Sequence, residues 1–326
     1  MSTETISETV AAPDSVERIS WVNSLPFIGV HLACLLAFVS GVHTRDIVLC
    51  VALYFVRMFA ITAGFHRYFS HRSYKTSRAF QFVLALLGTL SVQKGVLWWA
   101  GHHRHHHKES DQPADIHSPM LKGFLWSHVG WILCPKYNAT PFDSIKDFAS
   151  FPELRWLNKH FLIPPVAMAV AFFFIGGLSM LVWGFFISTV LVWHGTFTIN
   201  SLSHIFGKRR YKTTDTSRNN WFLALITLGE GWHNNHHYHQ SSSRQGWFWW
   251  EMDVSYYVLR ALSVVGVVWD LKLPSESVKR SHLKYSDADR AQLTSKTPFG
   301  GEVGMKPLGR LPRPDVAAAQ PQLKHG

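Results

Sequence analysis

The apolar residues of this chain are concentrated in long runs. The first extends from about Leu25 to Val42 and the second from about Ile47 to Phe65, separated only by His43-Thr44-Arg45-Asp46. Each approaches the roughly 20 residues that cross a bilayer as a helix, so the pair predicts a transmembrane hairpin. A second pair, Phe161 to Ile175 and Leu178 to Ile199, is divided by Gly176-Gly177 and predicts another. The run Ala79 to Val92 is too short to count as a span. The pattern predicts an all-α integral membrane protein of four transmembrane helices, with the polar segments between and after the hairpins forming a helical cap. Residues 1–20 are polar and acidic and predict a disordered tail. Residues 21–273 form the membrane domain, and 274–326 read as a second polar tail.

Charge orients these spans. Arg67, Arg72, Lys75, Arg78, Lys208, Arg209, Arg210 and Lys212 flank the far ends of the hairpins, whereas the turns carry at most one basic residue. Short flanks rich in Lys and Arg stay in the cytoplasm, which places the cap and both termini there. Trp247, Trp249 and Trp250 suit a membrane interface. Composition agrees: hydrophobic residues make up 47% and charged residues 16%, against about 25% charged in soluble domains. The net charge of +11 is read as positive-inside flanks, since no basic helix or aromatic RNA-binding motif accompanies it. Cys34, Cys50 and Cys134 lie in apolar runs and form no CxxC pair, so they are read as buried thiols.

Histidine changes the picture: the chain has 20. They gather as His66-Arg-Tyr-Phe-Ser-His71, as His102-His-Arg-His-His-His107, and as His233-Asn-Asn-His-His237, with Asn200-Ser-Leu-Ser-His204 at the exit of the last span. Residues at i, i+3 and i+4 share a helix face, so His103, His106 and His107 converge, as do His233, His236 and His237. His66 and His71 stand about 140° apart around an α-helix, which suits ligands to different metals or a helix end. All these groups lie at the cytoplasmic ends of spans or in the cap. Nine imidazoles exceed the four ligands of a tetrahedral zinc and can supply two metals; imidazole suits iron, copper, zinc and nickel. His31, His128, His160 and His194 are read as packed or interfacial, and His102, His105 and His239 as lying beside the ligand pattern.

At these residues the chain resembles the membrane fatty acyl desaturases of the stearoyl-CoA desaturase type. The HxxxxH, HxxHH and HxxHH boxes stand at 66–71, 103–107 and 233–237. The words Thr62-Ala-Gly-Phe-His-Arg-Tyr-Phe-Ser-His-Arg, Gly229-Glu-Gly-Trp-His-Asn-Asn-His-His, Asn200-Ser-Leu-Ser-His204 and Ser127-His-Val-Gly-Trp-Ile also match, over roughly 47–270. The resemblance implies two Fe ions held by His66, His71, His103, His106, His107, His204, His233, His236 and His237, with Asn200 nearby. It implies an O2-dependent oxidoreductase that puts a cis double bond, typically at carbon nine, into a saturated acyl chain. The metal carries that chemistry, and the protein adds ligands, a dry cavity and placement.

Gly101 and His102 stand where animal members carry Arg-Asp, so the acyl carrier is left open among CoA, acyl carrier protein and phospholipid. Neither a haem nor a ferredoxin domain is read in this sequence. The expected donor is a separate ferredoxin, rubredoxin or cytochrome with its reductase, and the expected location is a bacterial inner membrane.

Trp98, Trp99 and Trp193 are candidate walls of an acyl tunnel, or plain core. Glu230 and Asp111 are candidate partners of ligand imidazoles, or helix caps. The run Lys208-Arg-Arg210 faces a phosphate-bearing head group or an acidic donor, or serves only as a flank. The competing readings are a di-iron hydroxylase and a membrane metal transporter or sensor. A transporter would place its ligands near the bilayer midplane, whereas these lie at span ends.

Overall fold

The computed structural model describes residues 16–281. Most of the tails expected over 1–20 and 274–326 lies outside the described residues. Of the first tail, Glu17 is held by Lys122 and Lys136 at 2.8 and 3.2 Å.

Among the described residues, three helices are long and apolar enough to cross a membrane. The first, α1 (Trp21–Ser40), starts where Ser20 Oγ accepts from the Asn23 amide, and ends at Gly41, whose φ of 74° favours glycine. The second, α2 (Thr44–Ser70), is α-helical to Phe59 and a π-helix from Ala60 to Ser70. The third apolar run, Ile163–Ile205, has 43 residues. As one straight helix it would measure roughly 65 Å, about twice a hydrocarbon core. It breaks at Gly177 (φ 66°, ψ −158°), in the expected turn. We number its parts α6 (163–176) and α7 (178–205), after the cap helices given below. They pack side by side: a Cβ on Gly184 would meet Phe172 at 3.1 Å and Leu49 of α2 at 2.9 Å. The two turns lie together, since Ser179 Oγ donates to Asp46 at 2.6 Å and Trp183 Nε1 to the Gly41 carbonyl at 3.1 Å.

The run Ala79 to Val92 becomes a short helix, α3 (Arg78–Thr89), capped by Ser77. It lies on the π-helical end of α2, where Gly64 faces Leu84 and Gly88 leaves room for the Phe65 ring. The cap then adds α4 (Val96–Glu109) and α5 (Pro152–Lys159) ahead of α6. After α7 come α8 (Trp221–Ile226), α9 (His233–Tyr238), α10 (Val254–Val264) and α11 (Glu276–Arg280). A two-stranded antiparallel ladder, β1 (Lys75–Thr76) with β2 (Val268–Trp269), pairs Lys75 with Trp269 and ties the end of α10 to the segment after α2.

The main core, with Phe65, Phe69, Leu84, Leu97, Ile145, Leu154 and Leu157, sits where α2, α3, α4 and α5 meet. Away from it the helices turn apolar side chains outward, as at Phe38, 88% exposed, and Phe174, 81%. The tryptophan cluster divides. Trp249 and Trp250 are exposed, whereas Trp247 is buried with its Nε1 donating to the Arg244 carbonyl at 2.8 Å, so it is core rather than an interfacial anchor.

Candidate metal centre

The π-helical end of α2 resolves the spacing of the first box. An i→i+5 ladder closes a wider turn, and the His71 amide donates to the His66 carbonyl at 3.2 Å. Residues five apart therefore share a face, and the rings meet edge to face with centroids 4.9 Å apart. His71 is at a helix end, as one expectation had it, but both residues join one cluster and not two. Arg104 of α4 holds this end in place: Nε donates to the Ser70 carbonyl at 2.9 Å, and Nη2 to the Phe69 carbonyl at 2.7 Å.

The nine imidazoles assemble into two groups able to hold a metal. His66, His71, His103, His107 and His236 form one; His106, His204, His233 and His237 form the other; within each, the ligand atoms lie within 4.8 Å of one another. Each HxxHH box shares a helix face but serves both groups. From α4, His103 and His107 enter the first and His106 the second. From α9, His236 enters the first and His233 and His237 the second. His204 comes from the end of α7.

In the first group Nε2 atoms face one another: His66 to His236 at 2.9 Å, His236 to His107 at 3.0 Å, His107 to His103 at 2.9 Å and His103 to His71 at 3.0 Å. His66 turns Nδ1 to Glu230, which leaves its Nε2 as a lone pair. One hydrogen on His236 Nε2 cannot serve both its neighbours. Converging lone pairs are satisfied by a cation, and nitrogens about 2.1 Å from one ion at right angles would stand roughly 3.0 Å apart. In the second group His237 Nε2 is buried without a hydrogen-bond partner. The donor sets thus fit metal ions.

Protonation points the same way. Burial, then neighbouring imidazoles, holds His103, His107, His233 and His236 well below the usual imidazole range. They are neutral at pH 7, the form that binds metal.

Carboxylates fix the other ring nitrogens. Glu230 meets His66 and Asp111 meets His204 at 3.3 Å, so both acidic candidates are partners of these imidazoles. Two more were not legible: Asp115 meets His106 Nδ1 at 3.0 Å and Asp215 meets His237 Nδ1 at 2.8 Å. Burial opposes their ionisation, but the imidazoles hold both below the usual carboxylate range. Each lies in a loop, where its local context carries no signal; only Asp115-Ile-His117 hinted, and His117 stacks on His106 at 4.1 Å. Behind Glu230 stands Arg67, fully buried, which pairs with Glu230 at 3.1 Å and Asp253 at 2.9 Å. The asparagines inside the third box act as scaffold: Asn234 Oδ1 accepts from the Arg210 and Tyr211 amides, each at 2.7 Å.

Asn200 joins neither group but lines two cavities that share Trp99, His103, Thr196 and Asn200. The larger is walled by Trp98, Trp99 and Trp193, as expected of a tunnel, and also by Lys94. His102 faces the Ala139 carbonyl at 3.1 Å, His105 that of Ala114 at 3.0 Å, and His239 faces Ser241. His31, His194 and His128 form a separate chain, with successive ring nitrogens 3.0 Å apart. In the basic run, Arg210 pairs with Glu251, and Arg209 donates to the Asp215 carbonyl at 2.6 Å.

Apolar helices of membrane length that carry two buried histidine groups beside an apolar cavity define a class, the histidine-box membrane proteins. The comparisons narrow it. A family model described as fatty acid desaturase matches residues 46–268. The chain is 39% identical over 266 residues to an sn-1 stearoyl-lipid 9-desaturase of Anabaena variabilis, covering 80% of this chain and 97% of that protein. It is 37% identical over 282 residues to the protein of the same name from Synechocystis sp., covering 82% and 86%. An acyl-CoA C20 Delta5-desaturase of Anemone leveillei is 34% identical over 284 residues, covering 83% and 90%. The chain belongs to the fatty acid desaturase family, and it is a fatty acyl desaturase and hence an oxidoreductase.

Proposed function

We propose that this protein introduces a cis double bond at carbon nine of a saturated acyl chain carried on a membrane lipid. The observation that carries the reading is the pair of buried histidine groups beside a tryptophan-walled cavity. The relatives named as stearoyl-lipid 9-desaturases support the lipid carrier and the position. The reading takes α1, α2, α6 and α7 as four spans, with the cap and both termini cytoplasmic, in a bacterial inner membrane.

Two irons are the metals of this reading. His66, His71, His103, His107 and His236 would hold one; His106, His204, His233 and His237 would hold the other, with Asn200 beside them. When bound, the irons supply the O2 chemistry that breaks two unactivated C–H bonds. The balance is one alkene and two waters from O2, two substrate hydrogens, two protons and two electrons. A separate ferredoxin, rubredoxin or cytochrome supplies the electrons.

The chain's own residues place the substrate. Trp98, Trp99, Trp193 and Phe197 surround the larger cavity and exclude water. His103 and Asn200 are among the residues common to both cavities, and in this reading the acyl chain would pass beside them. Placement decides which carbons react, since a small shift presents different ones. Lys94, its ammonium over the Trp98 ring at 4.4 Å and lowered by burial to about 8, marks the polar end for the ester and head group.

The test is the fatty-acid profile, by gas chromatography and mass spectrometry, of a host that cannot desaturate and expresses the wild type or His106→Ala. New 9-monoenoic acids on membrane lipids, with the wild type alone, are the expected result. Hydroxylated chains instead would overturn desaturation. Products confined to acyl-CoA would overturn the lipid carrier.

A further inference from the structure

The two histidine groups differ in what stands behind them. In the five-histidine group the carboxylate is Glu230, on His66. Its charge is shared with Arg67 at 3.1 Å, and its other oxygen accepts from Gln245 at 3.0 Å. His107 and His236 keep buried Nδ1 atoms without a hydrogen-bond partner. In the four-histidine group three rings carry a carboxylate on Nδ1: His106 has Asp115 at 3.0 Å, His204 has Asp111 at 3.3 Å and His237 has Asp215 at 2.8 Å. His233 Nδ1 is without a partner.

These carboxylates are themselves set by local structure. Asp111 accepts from the Thr216 amide at 2.7 Å and from Ser118 Oγ at 2.5 Å. Asp115 accepts from the Asp111 and His117 amides, at 2.8 and 3.1 Å. Asp215 accepts from the Ser217 amide at 2.9 Å. Each is therefore fixed in position before its imidazole is engaged.

A carboxylate on the outer nitrogen fixes the tautomer, orients the ring and makes the inner nitrogen a stronger donor. Removing one such partner costs about 10–100-fold in metal affinity. Buried negative charges also attract a divalent cation strongly where water is scarce. A fifth imidazole adds one neutral donor to the first group. It does not offset two further carboxylates in the second.

We propose that the two positions are unequal: the four-histidine position, backed by Asp111, Asp115 and Asp215, binds its metal more tightly and fills first. The five-histidine position, backed by Glu230 alone, fills second. The inference rests on the two-metal reading above. Asp111, Asp115 and Asp215 are positioning residues, acting through His204, His106 and His237.

The test is titration of the metal-free full-length protein in detergent with Co2+, followed by visible absorption. The wild type is expected to bind in two resolved phases of one equivalent each. Asp215→Asn and Asp111→Asn are each expected to weaken the first phase about 10–100-fold and to leave the second unchanged. Glu230→Gln is expected to weaken only the second. The unaltered phase in each variant reports that the protein is folded. A single unresolved phase, or Asp215→Asn acting on the weaker phase, would overturn the ranking. Binding of fewer than two equivalents by the wild type would overturn the two-metal reading itself, and the ranking with it.

Discussion

The helix α1 and the last turns of α2 both belong to helices of membrane length, yet they are solvated on opposite terms. Of the most apolar stretch of α1, 6% is buried in the protein. Every residue of Ala60–Ser70 is buried, His66 and Arg67 included. In α1 the outward side chains are apolar and need no polar partner; in the four-span reading lipid covers them, and lipid accepts any apolar shape. In α2 the same kind of helix carries charge, which the protein must neutralise group by group. Hydropathy marks the change, since the apolar run ends at Phe65; only the neighbours show what neutralises the charge beyond it.

The largest expected contrast is catalytic. His106→Ala should reduce monounsaturated product by at least about 100-fold, read by gas chromatography, while Phe38→Ala leaves product unchanged. Next is the buried charge. Arg67→Ala strands Glu230 and Asp253, at a cost of about 3–5 kcal/mol, and should lower the thermal midpoint in detergent well below that of any single change in α1. A smaller effect is steric. A Cβ on Gly88 would stand 2.3 Å from the Phe65 ring, so Gly88→Ala should cost about 1–3 kcal/mol by the same measurement.

Acidity sharpens the comparison further. His103, His107, His233 and His236 titrate lower in the fold than when unfolded, so the unfolded chain binds protons first. Their contribution to the stability of the metal-free protein is full above pH 6.5 and is lost as pH falls below it. A midpoint that rises on acidification would contradict the burial of these rings. The smallest effect belongs to α1: Phe38→Ala should stay within about 0.5 kcal/mol.

Much of this was legible in the chain. The apolar runs placed α1, α2 and the break at Gly177 within a few residues, and the i, i+3, i+4 spacing gathered the second and third boxes. What misled was helical geometry at the first box. An α-helix would set His66 and His71 apart; the π-helix brings them together edge to face, and no local residue pattern announces it. Trp247 read as an interfacial anchor because its neighbours Trp249 and Trp250 are exposed, but its indole packs inward.

The sequence alone determined the membrane class, the apolar runs and the histidines available, because hydropathy and helical periodicity are local properties. Only the tertiary structure decided how nine imidazoles divide into five and four. It also decided that Asp115 and Asp215 back two of them, and that Arg67 is spent on Glu230 and Asp253. Those pairings join residues from separate helices and loops. A buried charge finds its partner wherever the fold brings one within hydrogen-bond reach, and that distance is not written in the spacing along the chain.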